Sequence, residues 1–228
     1  MLKPLFRHFL RRTGYNIRHS SVCTPLEKLL DHHIPSGLND GVWTISGLVR
    51  AMKPEVCVEI GSAQGHSACH IGAALEENGK GMLYAIDPHT VTAWNDRDSE
   101  DSFPMIQRNL AAIGVSHRVE LLRTTSAGAA EDWSRSIDLL FIDGDHSYEG
   151  VKNDWNLFHP FVRPGGVVLF HDTAWQIENP DAMRPDMGVP RFVDELRLAG
   201  YPVITLLEHH GVSIVQPVSG GMPLCPAL

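Results

Sequence analysis

The chain has 228 residues, 43% of them hydrophobic, and a formal net charge of -8. This length suits one large domain and is short for two, and the apolar content excludes wholesale disorder. The excess of acid argues against a protein held to nucleic acid by a general basic surface. No apolar run reaches the roughly 18 residues of a membrane-spanning helix.

The first 26 residues contain no acid but carry Lys3, Arg7, Arg11, Arg12 and Arg18, with Leu2, Phe6 and Phe9 at helical spacing. The expectation is an N-terminal helical extension over residues 1–39, packed on the domain or on a partner subunit. A basic anchor making weak membrane-surface contact through residues 1–20, or a transit peptide, are the alternatives. Arg7, Arg11 and Arg12 break the apolar stretch, so no secretory signal is expected. Cys23, Cys57, Cys69 and Cys225 form no C-x-x-C pair. That disfavours structural zinc and fits a reducing, cytoplasmic setting.

Residues 40–228 read as the domain proper. Val42, Ile45, Leu48, Val49 and Met52 share one helical face, and Pro54 ends that helix. Val56–Ile60 is a predicted strand, followed by a glycine-containing turn and a helix from His66 to Leu75. Met82–Ile86 is the second strand. A polar loop over 88–101 and a helix from about Phe103 to Ile113 lead to a third strand, Val119–Leu122. The fourth, Ile137–Ile142, runs into Asp143. Tyr148, Val151, Trp155 and Phe158 make a helical stripe. Pro164-Gly165-Gly166 reads as a turn before a fifth strand, Val167–Phe170, which ends at His171-Asp172. A helix near Arg191–Ala199 precedes strands over Val203–Leu207 and Val212–Val215.

Strands alternating with helices predict a doubly wound α/β domain with a mainly parallel sheet. The link 208–211 is short enough for a hairpin, so the last strand is expected to run antiparallel. In such sheets ligands bind beyond the carboxyl ends of the strands. Gly61, Gly65, Asp87, Asp143 and Asp172 all fall at those ends. The turn Glu59-Ile60-Gly61-Ser62-Ala63-Gln64-Gly65 lets the backbone approach a ligand, and the helix that follows aims its free N–H groups there. Asp87, 26 residues after Gly61, suits a ribose. Together these predict a nucleoside-containing cofactor. Ala63 departs from the G-x-G-x-x-G dinucleotide fingerprint, which disfavours a dehydrogenase.

The segments Val58–Gly65, Tyr84–Pro88, Leu140–Glu149 and Pro164–Asp172 resemble class I S-adenosylmethionine-dependent methyltransferases. Within that fold they are most similar to the metal-dependent sugar O-methyltransferases. The resemblance spans about residues 40–215 and implies a Rossmann-like sheet of seven strands, the last antiparallel. It places Glu59, Gly61 and Gly65 about the methionine end of S-adenosylmethionine, Asp87 on the ribose and Ser126 near the adenine, with Ser62, Ser67 and Asp143 also cofactor-binding. It implies a divalent metal, Mg²⁺ or Mn²⁺, between Asp143 and Asp172, whose carboxylates would otherwise repel. His171 stands where relatives often carry a second acid, and as a ligand it would favour Mn²⁺, Fe²⁺ or Zn²⁺. His146 matches the position of the general base, with Asp143 also assigned to catalysis. The expected partner is a small-molecule or glycan acceptor, with Trp94 and Trp175 as candidate ring contacts. A catechol-like or other diol acceptor is the alternative. A homo-oligomer is expected. A nucleotide-cofactor oxidoreductase and a non-catalytic cofactor-binding partner protein are the rival readings.

Overall fold

A computed structural model describes residues 24–90, 101–178, 184–207 and 209–217. The basic N-terminal stretch, Trp94, Cys23 and Cys225 lie outside the described residues. So do the helix and membrane-anchor expectations for residues 1–20 and most of the 88–101 loop.

Seven strands form one sheet: β1 Val56–Ile60, β2 Met82–Ile86, β3 Val119–Leu122, β4 Ile137–Ile142, β5 Val162–His171, β6 Val203–Leu206 and β7 Val212–Val215. Their order is β3-β2-β1-β4-β5-β7-β6. β1 pairs in parallel with β2 and β4, and β4 with β5. β7 is antiparallel to both of its neighbours, β5 and β6. This is the expected doubly wound α/β sheet. Every residue of β4 is buried, as in a strand covered on both faces.

The helices are α1 Pro25–Asp31, α2 Val42–Met52, α3 His66–Asn78, α4 Phe103–Ile113, α5 Ser126–Glu131, α6 Tyr148–Phe158, α7 Trp175–Glu178 and α8 Val189–Leu198. One core layer holds Ile45, Val49, Ile71, Leu75, Ile106 and Leu110, from α2, α3 and α4. The other holds Trp155, Phe158, Phe170, Phe192 and Leu196, from α6, β5 and α8. Leu29, Ile34 and Leu38 are buried in the first layer, so residues 25–38 pack on the domain. Among the described residues no helix is long and apolar enough to cross a membrane.

Pro164-Gly165-Gly166 is not a turn that opens the fifth strand. β5 begins at Val162 and runs through it, with a register shift between Ile137↔Val162 and Leu139↔Val167. The bulge lies opposite Asp138, the one polar residue of β4. Its Oδ2 accepts from the backbone N–H of Glu55 and Val56, each at 2.8 Å, and its Oδ1 pairs with Arg163 Nε. One carboxylate thus ties the start of β1 to the bulged strand, where a glycine pair tolerates the irregular backbone.

Candidate active site

The chain winds outward from β1 through β2 to β3, then returns to β4 and β5 on the other side. The strand ends beside that reversal open into a cavity of about 580 Å³. Gly61, Ser62, Ser67, Asp87, Ser126 and Asp143 line it. His146, His171 and Asp172 line the same cavity. Glu59 and Gly65 are not in its wall: Glu59 is buried behind Ser67, and Gly65 packs against Ile106.

The turn after β1 explains its own composition. Gly61 has φ +88°, and a Cβ there would collide with the carbonyl oxygen of Asp143. Only glycine lets β1 and β4 close to this extent. Ala63, the departure from the dinucleotide pattern, is left-handed with φ 41°, and its N–H donates to Asp87 Oδ2 at 2.8 Å. The His89 N–H donates to Asp87 Oδ1 at 2.6 Å. Both oxygens of the carboxylate at the tip of β2 are therefore held by backbone. Burial pushes the Glu59 carboxyl up to about 8, although Ser67 Oγ donates a hydrogen bond to it. Ser62 Oγ and Glu59 Oε2 are buried without a partner. Of the two, Ser62 lies at the cavity wall, where an orphaned hydroxyl fits a ligand with polar groups of its own.

At the other end, Asp143 follows β4, Asp172 follows β5, and His146 lies in the turn into α6, just before the Ser147 N-cap. One ligand atom from each of Asp143, His146 and Asp172 lies within 4.8 Å of the others. His146 Nδ1 is 2.8 Å from Asp172 Oδ2. Burial would lower the His146 pKa, but the hydrogen bond to Asp172 and the charges of Asp143 and Asp172 raise it. Asp172 has φ 58°, an uncommon conformation for a residue with a side chain, of the kind that gathers at functional sites.

His171 is placed differently from its expected role as a metal ligand. Its Nδ1 is 3.0 Å from Asp143 Oδ1, and its Nε2 is 3.1 Å from the His209 carbonyl oxygen. Both neighbours accept, so both ring nitrogens carry protons and neither offers a lone pair. Burial opposes the charge, but Asp143 and Asp172 lift the pKa to about 9. This imidazolium compensates the paired carboxylates, so repulsion between them does not by itself demand an ion. His146, expected only as a base, takes the third place in the cluster. Asp172 Oδ1 is buried without a partner. The orphaned oxygen and the two adjacent carboxylates fit a divalent ion that takes oxygen ligands.

A family of sequences described as methyltransferase domain matches residues 58–173, half of the chain. The chain belongs to this methyltransferase family. A relative from Sinorhizobium fredii, the uncharacterized protein y4gI, is 31% identical over 162 residues, covering 66% of this chain and 17% of itself. The chain thus spans about a sixth of y4gI, and half of the next curated relative, the mimivirus protein R132. Caffeoyl-CoA O-methyltransferase 2 of Petunia hybrida is 25% identical over 198 residues, covering 79% of this chain and 72% of the relative. Among solved structures, the O-methyltransferase TomG of Streptomyces achromogenes, in complex with SAM, shares the fold. Its TM-score is 0.62 at 16% identity, over 95% of this chain and 96% of TomG.

Some residues of the cavity carry no motif. Asp154 lines the wall, almost fully buried, and is hydrogen-bonded to Ser126. Burial raises its pKa to about 6. Its signal was its position, on the buried face of α6 with Val151, Trp155 and Phe158. Pro35–Leu38, Arg184 and His210 also line the wall, from segments remote in sequence from the motifs.

Proposed function

We propose that the chain transfers a methyl group from S-adenosylmethionine to a hydroxyl of a small molecule, with a divalent ion held by Asp143 and Asp172. The observation that carries this reading is the Asp143–His146–Asp172 cluster, which opens on the same cavity as Ser62 and Asp87. In this reading Asp87 accepts from the ribose hydroxyls, and Ser126 with Asp154 borders the adenine. Glu59, Gly61, Ser62, Gly65 and Ser67 shape the methionine end. The TomG structure, a complex with SAM, supports the cofactor.

A bound divalent ion would supply charge compensation for Asp143 and Asp172 and would polarise the acceptor hydroxyl. His146 is oriented by Asp172 through Nδ1, so proton transfer from the acceptor falls to Nε2. The acceptor O–H bond breaks toward His146, and the oxygen attacks the sulfonium methyl carbon in line. The S–CH₃ bond breaks with its electrons going to sulfur, which leaves S-adenosylhomocysteine. Two carboxylates facing one cavity suit an acceptor with vicinal hydroxyls. A sugar diol rests on the resemblance of residues 140–149 to sugar O-methyltransferases. A catechol-type diol is favoured by the similarity to the caffeoyl-CoA O-methyltransferase of Petunia hybrida.

Incubation with methyl-labelled S-adenosylmethionine and a panel of sugar and catechol diols tests the reaction. His146→Ala is expected to keep its affinity for S-adenosylhomocysteine and lose turnover by about 10²- to 10⁴-fold. Label that reaches none of the diols, or turnover kept by His146→Ala, would argue against the assignment.

A further inference from the structure

The wall beside Asp172 and His146 is built by two segments that the proposed chemistry does not use. Residues 184–188 are fastened to the site by the Gly188 N–H, which donates to the His146 carbonyl at 2.8 Å. A Cβ at Gly188 would collide with Tyr148 N, so this segment lies directly on the start of α6. The β6–β7 hairpin is fastened by the Ala174 N–H, which donates to the His210 carbonyl at 2.7 Å. Trp175 and His210 meet there, with ring centroids 4.6 Å apart.

Arg184 projects into this wall. Among the described residues lining the cavity it is the only arginine or lysine, whereas Asp87, Asp143, Asp145, Asp154 and Asp172 all line it. Asp186 grips the guanidinium as a fork, with Nε at 3.1 Å from one carboxylate oxygen and Nη2 at 3.0 Å from the other. The fork fixes the plane of the guanidinium where it lines the cavity. Among the described lining residues the acids repel a negatively charged ligand group, the His171 imidazolium is buried between Asp143 and the His209 carbonyl, and Arg184 is the side chain with a permanent positive charge.

We infer that the acceptor carries an anionic substituent of the carboxylate or phosphate class, which Arg184 engages while the reacting hydroxyl lies at Asp172 and His146. This rests on the methyl-transfer reading and names the class of substrate. A charge-assisted contact with a half-buried guanidinium discriminates an anion from its neutral isostere, where stacking on Trp175 and His210 does not. Arg184 is in this role a specificity-determining residue, remote from the transferred methyl group.

The test uses the full chain with S-adenosylhomocysteine and Mn²⁺, and two matched pairs of ligands in calorimetry. One pair is 3,4-dihydroxybenzoate and 3,4-dihydroxybenzamide; the other is glucuronate and glucose. The anionic member of at least one pair is expected to bind about tenfold tighter or more, and the pair that responds identifies the ring class. Arg184→Gln is expected to reduce that preference to within about twofold, and Arg184→Lys to keep part of it. No preference in either pair overturns the inference, as does a preference that survives Arg184→Gln. A loss confined to S-adenosylhomocysteine affinity also overturns it, because Arg184 would then serve the methionine carboxylate. If Arg184→Gln does not fold, the wild-type pairs and Arg184→Lys decide. Methyl-transfer assays on the same compounds separate the two claims. An anion preference without transfer sinks the reaction and keeps the Arg184 assignment. Transfer with equal efficiency to both members of each pair keeps the reaction and sinks the assignment.

Discussion

Gly61 joins two demands at one position, a left-handed φ of +88° and a close approach to the Asp143 carbonyl. Gly61→Ala must move the end of β4, which carries Asp143. A loss of about 2–4 kcal/mol in stability is expected, from left-handed strain added to overpacking. Affinity for S-adenosylhomocysteine should fall with it; calorimetry and thermal melts that match the wild type would contradict the account of the turn. Glu59 and His171 set a pH dependence in the ligand-free chain. Burial raises Glu59 to about 8, so the folded chain holds a proton that the unfolded chain releases near the ordinary 4.5. That contribution is fully present below about pH 4.5 and is lost as pH rises through about 8. His171, raised to about 9 from an ordinary 6.5, has the same sign, present below the lower value and lost through the upper. The melting temperature is expected to fall between about pH 5 and pH 9, and Glu59→Gln to flatten the part below about pH 8. A wild-type melting temperature that rises over this range would contradict both assignments. At this scale the sequence was informative where a residue's type states its chemistry: Asp87, Asp143, Asp172 and His146 all reach the cavity. It was silent on the protons of His171, because those depend on the His209 carbonyl, supplied by a hairpin 38 residues away.

At the level of elements, periodicity carried the most. The stripe Tyr148, Val151, Trp155 and Phe158 marks α6, and the apolar runs mark β1, β2 and β4. The misreading of Pro164–Gly166 came from treating a glycine pair as the end of an element, when pairing with β4 continues on both sides of it. Nothing local to that tripeptide reports Asp138, which holds the bulge from another strand. Asp138→Ala would leave the Glu55 and Val56 N–H groups without their acceptor and Arg163 without its partner. A destabilisation of about 2–4 kcal/mol is expected from two orphaned donors, read from denaturant unfolding. A loss below about 0.5 kcal/mol would mean that water replaces the carboxylate. Helix α1 carries its start signal locally: Thr24-Pro25-Leu26-Glu27 is a capping box, in which Thr24 Oγ1 accepts from the Glu27 N–H at 3.2 Å.

Across the whole molecule, the order β3-β2-β1-β4-β5-β7-β6 brings chemistry from distant segments together. β1 and β4 lie side by side, so Gly61 touches Asp143 across about 80 residues of chain. The adjacency of β4 and β5 brings Asp143 and Asp172 together. Alternation of strands and helices predicted this class of sheet and the end at which the site would form, because right-handed crossovers leave few other arrangements. The contributions of Pro35–Leu38 and His210 depend on packing between segments with no shared pattern, which alternation does not report. The most direct measurement is methyl transfer from labelled S-adenosylmethionine to a diol acceptor, before and after thorough chelation and again after Mn²⁺ is returned. The expected result is transfer that chelation abolishes and Mn²⁺ restores in the wild type, with no restoration in Asp172→Asn. Transfer that continues unchanged in the chelated enzyme would contradict a divalent ion between Asp143 and Asp172.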